Sequence, residues 1–194
     1  MSKLKQQGFT LVELLIVVII LAILAAIVVP QFAASTKDAS DAALRSNLAA
    51  VRSAVDLYRQ QHNGDYPGAK TAVGGGACAG TAGAGTAVDA ASRAAAFQEQ
   101  LTLYTDRTGK SCSSPSPDGS GNPQFPYGPY LRSQDLPVNP LTDPGSAALS
   151  AVNVGDLNMT GDVSGVGWKF DVLTGRFIAN TDTTDANGVR YDTY

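Results

Sequence analysis

The sequence is short of charge, of histidine and of cysteine, and each shortage closes off a class of function. Only 16% of its 194 residues are Asp, Glu, Lys or Arg, against about a quarter in an ordinary domain, so much of the surface must be neutral. Lysine and arginine number 14 against 17 acidic residues, for a formal charge of −3. No excess of cations is available to neutralise a phosphate backbone, and a direct nucleic-acid footprint is excluded. His62 is the sole histidine. Without a second histidine or a cysteine cluster it has no metal-binding or catalytic partner. The serines lie in no elbow motif, so no catalytic residue is assigned.

What the sequence does have is concentrated at its start. From Phe9 to Val29 it is Phe, Thr, Leu, Val, Ile and Ala, with Glu13 the single ionisable residue. That run is long enough to span a bilayer. A secretory signal would place its small-residue cleavage site after the apolar core. Here the cationic piece, with Lys3 and Lys5, ends at Gly8, immediately before the core. Cutting there keeps the hydrophobic helix in the mature chain and makes its net charge two units more negative. The competing reading of the whole segment is a plain signal anchor.

Gly8, Phe9, Thr10, Leu11, Val12 and Glu13, behind a cationic leader and ahead of an apolar span, resemble the processing site of the type IV pilin and type II secretion pseudopilin family. The likeness covers the first thirty or so residues. It implies cleavage after Gly8 by a membrane prepilin peptidase, methylation of the new amino group of Phe9, and no enzymatic activity. It also implies a homo-oligomeric helical filament, built by an assembly ATPase and platform. The precursor would cross the bacterial inner membrane once, and the filament would be extracellular or periplasmic. A type IV pilus and a type II secretion pseudopilus share these features, and a membrane-tethered binding protein or hydrolase is the distant alternative.

Glu13 has its own physical argument. A carboxylate in a membrane helix costs on the order of 2–3 kcal/mol even on lenient scales, so its retention needs a partner. The run contains no cation. Cleavage before Phe9 creates one, an α-ammonium that a neighbouring copy can present to Glu13 as an assembly contact. The competing reading is a carboxylate that snorkels or is protonated at the membrane edge.

Pro30 follows the apolar run, and a proline inside a helix removes a hydrogen bond and bends or interrupts it. The region around the matching proline is often loosened in pilin-like filaments, which makes Pro30 a candidate hinge. Beyond it Leu44, Leu48, Val51, Val55 and Tyr58 recur at intervals of four and three, the stripe of an amphipathic helix packed on a head. Asn63 and Gly64 end that helix. His62, just before them, is expected to cap the last turn as a cation or donor.

The expected organisation is a leader over 1–8, a membrane and filament-core helix over 9–29, an amphipathic helix over 30–62 and a globular head over 63–194. The fold class is α+β: a long N-terminal helix packed on a small C-terminal antiparallel sheet. YRQQHNGDYP, 58–67, and GPYLRSQDLPVNP, 128–140, resemble segments of pseudopilin-type heads. The Gly-rich stretch 73–88 lacks the strand and the Lys-Ser/Thr pair of a phosphate loop and is expected to be a flexible surface loop. Asp89 should cap a helix over 90–104, and 105–144 is too rich in Pro, Gly, Ser and Asp for much regular structure. Val166, Trp168, Phe170 and Val172 alternate with polar residues and glycine as a strand, which Thr174 and Gly175 turn into a second.

Cys78 and Cys112 lie beyond the membrane segment, and an oxidising compartment there favours a disulfide over two buried thiols. Two acidic patches are candidates for calcium. Asp156, Asn158, Thr160, Gly161 and Asp162 echo half of an EF-hand loop, with Gly167 where its bidentate Glu should stand. Asp182, Asp185, Asn187 and Asp192 form the second, and the pseudopilin resemblance implies calcium in a C-terminal loop. Polar turns are the favoured reading of both, so no metal ligand is assigned.

Overall fold

The computed structural model describes residues 10–142, 150–155, 158–162 and 165–194. The chain divides into two compact units, Met1–Ser40 and Asp41–Tyr194. One helix, α1 (Leu11–Gln61), supplies residues to both. Within the first unit its apolar side chains are exposed, from Leu11 through Val29 and Phe32. Pro30 lies inside the helix, whose assignment runs through it unbroken. Having no N–H, Pro30 leaves the carbonyl of Ala26 without its helical donor. Thr36 Oγ1 donates to the Phe32 carbonyl (2.6 Å) and Ser40 Oγ to that of Thr36 (3.1 Å), back-bonding that tends to bend a helix.

In the second unit α1 becomes one-sided. Leu44, Leu48, Val51, Val55 and Tyr58 are all buried, so the four-and-three stripe faces a core as expected. The helix ends in a left-handed turn: Asn63 has φ 58° and Gly64 φ 88°, and Gly64 N–H donates to the Arg59 carbonyl (3.0 Å). This is the Schellman closure that an Asn-Gly pair permits. Helix α2, Ala90–Thr102, begins with a reciprocal cap between Asp89 and Ser92 and buries Phe97 and Leu101 against the α1 stripe.

Tyr104 leaves that helix to open a two-stranded antiparallel pair, β1 (Tyr104–Thr105) with β2 (Ser111–Cys112). The turn between them is built on Asp106, whose Oδ1 accepts from the backbone N–H of Thr108 (2.8 Å) and Lys110 (3.0 Å). Gly109 there has φ 91°, and a Cβ on it would stand 2.7 Å from Tyr58 Oη. Both conditions call for glycine.

The second sheet has the order β3 (Val152–Gly155), β4 (Trp168–Asp171), β5 (Phe177–Ala179). The β4–β5 hairpin is antiparallel, with Trp168 opposite Ala179, as the Thr174–Gly175 turn suggests. Strand β3 pairs parallel to β4, Val152 opposite Trp168, so the sheet is mixed rather than uniformly antiparallel. Trp168, Phe170 and Phe177 join the core of α1 and α2. The alternate residues of β4, expected to be the polar face, are covered too: Lys169 and Asp171 are both buried.

Two loops are better ordered than their composition suggests. The stretch 73–88 is stitched to its surroundings: Ala72 N–H donates to Gly85 O (2.7 Å), Gly83 N–H to Ser111 O (3.0 Å) and Ser113 N–H to Thr81 O (2.9 Å). The Glu99 carboxylate accepts from Ala84 and Gly85 N–H, each at 3.0 Å. Gly85 packs so closely on the Ala96 backbone that no side chain fits. The expected flexible loop is therefore replaced by one held through its own main chain. The segment before β3 is likewise pinned, by Trp168 Nε1 on the Pro137 carbonyl (2.8 Å) and by buried Asn139, whose amide donates to Gly167 O (2.7 Å).

Candidate membrane and assembly site

The N-terminal site is a polar point at the start of an apolar cylinder. Gly8 and Phe9 lie outside the described residues. Thr10 stands directly before α1, and Glu13 is in its first turn. The Glu13 carboxylate accepts from Thr10 N–H (2.9 Å) and Thr10 Oγ1 (2.8 Å), while Glu13 N–H donates back to Thr10 Oγ1 (3.2 Å). This is a capping box, in which two donors left over at a helix start are satisfied reciprocally. Thr-x-x-Glu spells it in the sequence, but the reading of Glu13 as an assembly carboxylate passed over it. The other large side chains of α1 from Leu11 to Val29 are apolar and exposed, and α1 is long and apolar enough to cross a membrane.

A family model described as the prokaryotic N-terminal methylation motif matches residues 3–29. The chain carries a prepilin N-terminus. Over 67 residues it is 40% identical to the type II secretion system core protein G of Pseudomonas aeruginosa, covering 34% of this chain and 46% of that one. A similar match, 39% over 67 residues, is to the core protein G of Aeromonas hydrophila, again 34% and 46% of the two chains. Over 60 residues it is 45% identical to the type IV narrow pilus major component PilA5 of Thermus thermophilus, covering 31% of this chain and 52% of that one. The chain thus spans about half the length of the curated relatives it matches. No solved structure matches it.

In the second unit, Cys78 and Cys112 are joined as a disulfide, their Cα atoms 5.6 Å apart. His62 is not the cationic cap expected from its position. It is 1% exposed and stacked on Tyr58 with ring centroids 3.8 Å apart. Nδ1 donates to the Tyr58 carbonyl (2.8 Å), which leaves Nε2 as the acceptor for the Thr105 hydroxyl (3.0 Å). The donor half of the expectation holds, and the charge does not: burial lowers the pKa of the ring. With both nitrogens engaged, His62 offers no general base.

The two acidic patches, separate in sequence, meet in the fold. Gly161 N–H donates to Asp192 Oδ2 (2.7 Å), and Asp162 N–H to Asn180 Oδ1 (2.9 Å). Yet their oxygens face donors. Lys169 Nζ donates to Thr160 O (2.8 Å) and Asp162 Oδ2 (2.6 Å), and Arg190 Nη2 to Asp192 Oδ2 (2.7 Å). The Asp185 carboxylate accepts from Tyr194 Oη (2.7 Å) and from the N–H groups of Val189 (2.9 Å) and Asn187 (2.8 Å). Those bonds hold its pKa down at about 2. Among the described residues no group of three His, Cys, Asp or Glu side chains is arranged to hold a metal. Asp156, one of the proposed ligands, lies outside the described residues. At Asp162 and Asp192 the place of a cation is taken by the chain's own Lys169 and Arg190.

Proposed function

We propose that the chain is a structural subunit of a type IV pilus-like filament and not an enzyme. In this reading a prepilin peptidase cuts between Gly8 and Phe9, Phe9 is methylated, and the subunit waits in the inner membrane until an assembly ATPase and platform draw it into a homo-oligomeric filament. The observation that carries it is Glu13, a carboxylate in the otherwise apolar, exposed stretch of α1 from Leu11 to Val29, whose partners among the described residues are both on Thr10. Thr10 neutralises no charge. In hydrocarbon such a group costs about 2.5–3.5 kcal/mol, and the ammonium at Phe9 of an adjacent copy supplies what Thr10 does not. Methylation leaves that amine a cation. Pro30, with the Ala26 carbonyl freed and the back-bonded Thr36 and Ser40 just beyond it, is the place where α1 would loosen as subunits pack.

A second reading, the major pseudopilin of a type II secretion system, is favoured by the similarity to core protein G. Neighbouring genes distinguish the two: a retraction ATPase accompanies a pilus, a secretin with minor pseudopilins the secretion machine.

The filament reading is tested with Glu13→Ala. Membrane insertion and cleavage should persist, while filaments sheared from cells and counted by negative-stain microscopy fall about tenfold or more, the loss expected of an unpaired partner in an apolar interface. Undiminished filaments would exclude Glu13 as the assembly contact.

A further inference from the structure

The loop before β4 and the C-terminal segment are fastened at two points, and each fastening has a side-chain cation at its centre. Lys169 projects from β4, the middle strand of the mixed sheet, and is 8% exposed. Its ammonium joins the Thr160 carbonyl to the Asp162 carboxylate (2.8 and 2.6 Å). Asp162 in turn accepts from Asn180 Nδ2 (3.1 Å), just after β5. Arg190 makes the second: Nη2 reaches Asp192 Oδ2 (2.7 Å) and Gly161 O (3.5 Å), while the same Asp192 oxygen takes the Gly161 N–H. A backbone carbonyl beside a carboxylate oxygen is the ligand type a calcium ion collects. Here each such pair already surrounds a cation supplied by the chain.

We infer that Lys169 and Arg190 are built-in counter-ions that close the C-terminal loops of this head in place of a divalent metal, so that its folding is independent of calcium. An ammonium has the charge to offset one carboxylate and three donors for the oxygens around it. Lys169 comes from a central strand already held on both sides, so the cation is positioned before the loop closes on it. A divalent ion would have to displace a nearly buried ammonium and leave it without acceptors, a costly exchange. The carboxylates show the same pairing: Asp192 is kept ionised first by Arg190 and then by the Gly161 N–H, against the opposing effect of burial. This inference does not depend on which filament the subunit serves.

The test uses the full chain in detergent micelles, melted by circular dichroism with excess calcium chloride and, separately, with EDTA. The native chain should melt at the same temperature in both. Calorimetric titration with calcium should give no binding heat. Lys169→Met should lower the midpoint by roughly 5 °C or more, equally in calcium and chelator, because it strips the cation from Asp162 and Thr160. Arg190→Met should behave likewise. A native midpoint that rises with calcium, or titratable calcium binding, would overturn the inference without any variant. A Lys169→Met chain that melts as the native one does would remove Lys169 from the role.

Discussion

His62 is held neutral by its surroundings rather than by its chemistry. The Tyr58 carbonyl can only accept, so Nδ1 must carry the proton and Nε2 must receive the Thr105 hydroxyl. A second proton would have to displace that acceptor role inside a stack of aromatic rings. Burial accordingly lowers the pKa from its ordinary 6.5. In the unfolded chain the ring takes up a proton near pH 6.5, while the folded chain resists it. The stability contributed by the neutral ring is therefore complete above about pH 6.5 and is lost as the pH falls toward the lowered folded value. The melting temperature of the native chain should drop as the pH falls below about 6.5, and His62→Gln should flatten that slope. Parallel slopes would assign the acid sensitivity elsewhere. Asp185, held at about 2 by Tyr194 and backbone donors, titrates too low to act in this window.

At the scale of elements, the segment from Ala72 to Cys112 behaves as one construction. The disulfide closes a sequence separation of 34 residues, which restricts the unfolded chain by about 4 kcal/mol in the loop-entropy account. It also ties the end of β2 to the Gly-rich loop, which is separately stitched to Ser111, Ser113 and Glu99. Cys112→Ser should lower the melting midpoint by about 10 °C, and reducing agent should bring the native chain down by a similar amount while leaving the variant unchanged. A midpoint insensitive to both would show that the backbone stitching alone holds the loop. The composition of 73–88 pointed to mobility because Gly and Ala carry no side-chain bonding. The same smallness lets Gly85 lie against the Ala96 backbone, with its N–H within reach of Glu99. Close approach of main chains leaves no periodic pattern in a sequence.

At the scale of the whole molecule, the two units have different solvents. The first exposes apolar side chains from Leu11 to Phe32, which suits lipid or other helices but not water. The core of the second begins at Leu44 and is completed by Phe97, Trp168, Phe170 and Tyr191, all from its own residues. Tyr191 Oη also donates to Asp41 Oδ1 (2.6 Å) and Arg45 to Tyr194 Oη (3.1 Å), so the first helical turns of this unit are held by its last residues. A fragment of 41–194 should fold as a soluble protein with a single cooperative melt, since among the described residues none of the core side chains lies within 1–40. A fragment without a cooperative transition would mean that the first unit stabilises the second.

The sequence by itself determined the long apolar helix, the N-terminal methylation motif, the stripe of α1 and the left-handed helix end, because each is written in neighbouring residues: an unbroken apolar run, a short motif, a repeat of four and three, an Asn-Gly pair. The β4–β5 hairpin was legible for the same reason, through period-two alternation and its turn. Tertiary structure alone decided the rest. The parallel placement of β3, the burial of Lys169 on the face of β4 expected to be polar, the neutrality of His62 and the meeting of Gly161 with Asp192 all depend on partners far away in the chain. Local periodicity carries no information about which distant donor reaches a carboxylate, and that partner decides whether an acidic loop needs a metal ion or is closed by a lysine of its own.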